Sequence, residues 1–135
     1  MCIRDRYHII VSIDDADGYS GSSTQTNDVY INGKLEASHE GGRRYWSQIN
    51  QARTHYLGAR KDVDGIPNFV GYMANVQFID GAALDASYFG ETVEGNWIHK
   101  PLSADQDYGT NGFYLNFADE SNLGKDVSGN GNDWI

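Results

Sequence analysis

The chain has 135 residues, among them 16 Gly, 9 Tyr, 5 Phe and 3 Trp, against only 2 Pro and 21% charged side chains; one domain of short strands and tight turns fits this balance, and a helical bundle does not. Its net charge of −9 repels phosphate backbones and anionic lipid headgroups, so neither nucleic acid nor membrane insertion is expected. Cys2, the single cysteine, excludes an internal disulfide, and no run of about 18 apolar residues offers a transmembrane span.

Met1-Cys2-Ile3-Arg4-Asp5-Arg6 lacks an apolar h-region and resembles a translated sequencing adapter, so residues 1–6 are read as a non-native leader. Tyr7–Asp14 (YHIIVSID) is expected as a strand, with Tyr7, Ile9, Val11 and Ile13 on one face and Ile10 on the other. A polar Gly/Ser-rich loop, Asp15–Asn27, follows. In Asp28–Ser38 (DVYINGKLEAS) the pair Asn32-Gly33 tolerates positive φ at both central positions of a type I′ turn, which predicts a tight hairpin.

His39–Arg53 reads as a long exposed excursion, Thr54–Arg60 as a short strand and Lys61–Asn68 as a turn segment. Phe69–Asp80 is the strongest predicted strand, with Val70, Tyr72, Ala74, Val76 and Phe78 on one face. Leu84–Glu91 predicts a short helical turn near residues 85–89, with Asp85 as N-cap and Gly90 closing it; Trp97 follows in a loop. Gly112–Phe117 is a last strand, before the Ser/Gly/Asn-rich DVSGNGNDW. About five or six strands are few for two full sheets, which points to truncation at the N-terminus.

Four segments in order, VYINGK, HYLGAR, FVGYMANVQFIDGAAL and a D-x-S-x-F turn, resemble the latter half of laminin-G-like, concanavalin A-like lectin and glucanase domains. NGFYLNFADESNLGKDVSGNGNDW is similar to segments in structural proteins of marine bacteriophages and in environmental sequences. The resemblance covers residues 7–135 and implies an all-β jelly-roll sandwich, incomplete at its N-terminus. FADESNLGKDVSGNGND also resembles the opening of such a domain. Residues 118–135 therefore either begin a following module or pair back onto the same sandwich.

Glycosidases that share the jelly roll carry paired carboxylates on one strand, as in E-x-D-x-x-E, where period-2 spacing aims several acids at one sugar. That pattern is missing from the sequence, as are G-x-S-x-G, H-E-x-x-H and P-loop motifs, so a non-catalytic role is expected. A sugar site needs an aromatic face for the apolar side of the pyranose, with amides and charges for its hydroxyls. Tyr45 and Trp46 beside Gln48 and Asn50 offer those types, and Arg43 and Arg44 suit sulfated or carboxylated glycans. For Ca²⁺, Asp126, Ser128 and Asn130 match the start of an EF-type loop, and Asp14, Asp15 and Asp17 form an acidic cluster past a strand. Against each stands a plainer role: solvated turns for the acids, loop solubility for the arginines, edge packing for Trp46.

Three readings follow from the residues and the resemblance. The first is a module of a virion or an extracellular protein that recognises a glycan or host-surface polymer. The second is a structural virion block that contacts other virion proteins, with self-association through an unpaired sheet edge. The third is a jelly-roll glycosidase fragment lacking its catalytic strand.

Overall fold

The computed structural model describes residues 6–14, 25–41, 50, 54–59, 68–103 and 105–135. Among these the chain is all-β. Its strands pair antiparallel throughout, and the helical content is one 3-10 turn at Ala86–Tyr88. No helix among the described residues is long and apolar enough to cross a membrane. Two compact units interleave along the sequence: Met1–Trp46 with Gly81–Asp107, and Ser47–Asp80 with Tyr108–Ile135.

The first unit is built on a three-stranded meander in the order β1 (Ile9–Asp14), β2 (Gln25–Ile31), β3 (Lys34–Gly41). The turn between β2 and β3 sits at Asn32-Gly33, with φ of 50° and 77°, the left-handed pair that a two-residue hairpin of this twist requires. Past the turn the register slips. Tyr30 faces Leu35 but Val29 faces Ala37, so Glu36 is the extra residue of a bulge. A second hairpin, β5 (Gly90–Val93) and β6 (Asn96–His99), turns through Glu94-Gly95 at φ 50° and 80°.

Period-2 alternation places His8 and Ile10 on one face of β1, and that is the face this unit covers. The ring of His8 meets Phe89, Trp97 and His99, and Ile10 is only 7% exposed. Ile9 and Val11, on the opposite face, are 62% and 50% exposed. Apolar residues occupy both faces of β1, and the segment that packs against one of them makes the choice.

In the second unit β4 (Val76–Phe78) pairs with β7 (Phe113–Leu115), and Asp126 bridges to Leu115 on β7. Leu115, Phe113 and Tyr108 form its buried apolar set, with Phe113 between Phe78 (ring centroids 5.8 Å) and Trp134 (4.9 Å, edge to face). Burying a side chain such as Leu115 contributes about 1.5–3 kcal/mol. The closing residues fold back here, with the N–H of Val127 donating to Tyr114 O and that of Trp134 to Gly124 O, each at 2.8 Å.

Several expected elements change. Of Phe69–Asp80 only Val76–Phe78 is a strand, and Val70 and Tyr72 project into solvent. Thr54–Ala59 has no ladder, and Arg60 lies outside the described residues. Alternation describes a strand only where a neighbour supplies a ladder of hydrogen bonds, and Phe69–Asn75 has no ladder partner among the described residues. Phe117 takes φ 55° and leaves the face of Phe113 and Leu115. Asp85 caps its turn as expected, but Gly90 opens β5 rather than closing the turn, and Trp97 lies on a strand. The β5–β6 hairpin escapes a reading by turn chemistry because Glu-Gly is not among the favoured pairs.

Candidate functional site

In the first unit a capped turn and the exit of a hairpin come together. The Asp85 carboxylate accepts from Ser87 N at 2.7 Å, and hydrogen bonds from the Ser87 hydroxyl and N–H hold this carboxyl below its ordinary range. The N–H of Lys100, just past β6, donates to Phe89 O at 3.0 Å, which ties the hairpin exit to the turn. Beyond it Gln106 N donates to Ser103 O at 3.0 Å, and the Ser103 hydroxyl donates to Asp105.

These ties shape an open pocket of about 370 Å³ whose walls include Ser87, Tyr88, Lys100, Pro101, Ser103 and Gln106. Tyr88 is half exposed and presents an aromatic ring. Around it stand Ser87 and Ser103, bonded to Asp85 and Asp105 respectively, one ammonium group and the Gln106 amide, whose Nε2 donates to Asp107 O at 2.6 Å. A flat ring beside fixed acceptors and donors is the chemistry that grips a polyhydroxylated ring.

A different polar assembly organises the second unit. Both Asp126 oxygens face donors: Tyr114 N (2.8 Å) and Ser128 N (2.9 Å) on Oδ1, Ser128 Oγ (2.9 Å) and Asn132 N (2.9 Å) on Oδ2. Burial pushes this carboxyl up, but the hydrogen bonds from Tyr114, Ser128 and Asn132 outweigh it and hold the carboxyl below its ordinary range. The Asn130 amide donates to Gly109 O and Gly112 O, and that of Asn132 to Thr110 O and Gly112 O. On the same loop, Asp80 accepts from the N–H and side-chain amide of Asn111.

The Asp126 oxygens meet N–H and O–H groups, and the Asn130 amide turns its NH₂ toward carbonyls. The motif acts as a clasp.

Asn50 joins the same unit, with Nδ2 donating to Asp80 Oδ1 at 2.7 Å. Its expected companions Arg43, Arg44, Tyr45, Trp46 and Gln48 lie outside the described residues. Asp14 ends β1 opposite Thr26, exposed, and Asp15 and Asp17 again lie outside the described residues. A groove of about 450 Å³ between Leu57, Phe69, Tyr72, Met73, Phe117 and Leu123 is mainly apolar, so sugar hydroxyls would find few partners there.

Sequence reasoning missed Tyr88, Lys100 and Gln106 because they are eighteen positions apart at the extremes and share no motif. The D-x-S cap was the one available signal near them. No protein-family model, curated protein or solved structure matches the chain.

Proposed function

We propose that this chain is a non-catalytic recognition module, a laminin-G-like, concanavalin A-like sandwich of a virion-associated or secreted protein, and that it binds surface carbohydrate. The observation that carries the reading is Tyr88, half exposed over a pocket of hydroxyl, amide and ammonium groups. The antiparallel meander and its Asn-Gly hairpin support the sandwich. The test is a glycan array probed with the full chain. Specific retention is expected, weakened about tenfold by Tyr88→Ala, the loss of one stacking face. Retention unchanged by that substitution places the sugar elsewhere, and silence across the array rejects the reading.

A second reading, a structural virion block, draws on the exposed apolar face of β1. Ile9 and Val11 are solvent-exposed, and the β1 edge has no partner strand among the described residues. Array silence together with concentration-dependent dimers in analytical ultracentrifugation is the result it expects.

A further inference from the structure

The first unit holds a side-chain junction that the recognition pocket does not use. His8 Nδ1 accepts from Trp97 Nε1 at 2.9 Å, across 89 residues of sequence and partly out of solvent. Only an unprotonated Nδ1 can accept, so the neutral ring carries its proton on Nε2. The backbone of His8 is fixed in both directions by Asn32: His8 N donates to Asn32 Oδ1 at 2.9 Å, and Asn32 N donates to His8 O at 2.8 Å. The Trp97 indole lies against Gly33 and Gly90, where a side chain would collide with it. His8 therefore links the N-terminal end of β1 and the β2–β3 turn, through its backbone, to the β5–β6 hairpin, through its imidazole.

We infer that His8 is a proton-operated latch that docks the β5–β6 hairpin on the meander and, through Lys100, regulates the Tyr88 pocket. A proton on Nδ1 turns the contact into two opposed N–H donors with no acceptor between them. The bond is lost, and the pinned backbone leaves the imidazole little room to withdraw. Among the described residues His99 on β6, its ring centroid 5.1 Å away, is the titratable group that faces His8, and the neighbours Phe89, Trp97 and Asn32 are uncharged. Burial first, and the His99 charge second, hold the His8 ring below its ordinary value.

The sign follows. A histidine whose folded pKa is depressed stays neutral in the fold, so its contribution is complete above the unfolded value of about 6.5. It is lost as pH falls below that value toward the folded one. The hairpin is the movable part. Released at Trp97, it slackens the hydrogen bond from Lys100 N to Phe89 O, which braces one wall of the pocket.

The regulatory half of this inference rests on the recognition reading; the latch itself does not, and the experiment separates them. The full chain, labelled with ¹⁵N, is titrated from pH 8 to pH 4.5 while the three tryptophan indole N–H resonances and the Lys100 amide are followed. The Trp97 indole is expected to move with a midpoint below 6.5, and the protection of the Lys100 amide, its exchange rate divided into the intrinsic rate at each pH, to fall at least tenfold over the same range. His8→Gln keeps an acceptor at every pH and is expected to flatten both responses. His99→Gln removes the like charge and moves the midpoint upward. An indole that ignores pH, or titrates equally in His8→Gln, overturns the latch. Movement of the indole with an unchanged Lys100 amide overturns its link to the pocket. A silent glycan array beside a working titration removes the recognition reading alone.

Discussion

Asp126→Ala is expected to cost about 3–5 kcal/mol, because a buried carboxylate that accepts four hydrogen bonds leaves four donors without their partner. Tyr114 lies on β7, so the loss reaches the strand that pairs with β4 as well as the closing loop. A fall of this size shows as a clear drop in the urea midpoint and in the thermal midpoint, on the order of 10 °C. Asp126→Asn keeps one acceptor but sets an NH₂ against donors, and about half the loss is expected. The pH dependence has a defined sign. The folded carboxyl sits below its ordinary value, so its contribution is present above about 4 and disappears as pH falls toward the folded value. Wild type should therefore steepen its loss of stability below about pH 4, and Asp126→Ala should show less of that limb. Equal urea midpoints for wild type and Asp126→Ala would remove the clasp from the account.

Gly33→Ala carries the second large effect, about 2–4 kcal/mol, from two separable causes. Its φ of 77° strains any residue with a Cβ, and the added methyl runs into the Trp97 ring. The ring cannot slip aside cheaply, since it is held at Nε1 by His8 and flanked by Gly90. Gly95→Ala separates the causes. Gly95 has φ 80° but open space around the position, so strain alone, about 1 kcal/mol, is expected. Urea titrations of both variants, with Trp97 indole shifts, check the difference. Equal costs in the two would show that Trp97 does not rest on the β2–β3 turn.

Both variants also bear on the latch. Displacing Trp97 by Gly33→Ala should weaken its bond to His8 and shrink the acid response of its indole, while Gly95→Ala should leave that response near wild type. The clasp belongs to the second unit, so Asp126→Ala is chosen for stability and not as a probe of recognition.

What the chain declares locally, it declares clearly. Asn32-Gly33 predicts its turn because positive φ at two successive positions is a property of those residues themselves. Asp85 predicts its cap because a carboxylate oxygen two bonds from Cβ reaches the N–H two residues on. The all-β character follows from composition, which favours pleated, half-buried segments over helix. The DVSGNGND run is visible as a turn-rich motif, but whether its oxygens face a cation or N–H groups depends on what lies opposite.

The rest was settled only in three dimensions, for a physical reason. Periodicity tells which side chains share a face, and it does not tell which face will be covered; Ile10, not Ile9 and Val11, ended inside because Phe89 and Trp97 come back over its side of β1. A strand also needs a neighbour's backbone, so Phe69–Asn75 alternates without becoming one. Tyr88, Lys100 and Gln106 share a pocket, and His8 meets Trp97, only through the return of the chain, which no local pattern encodes.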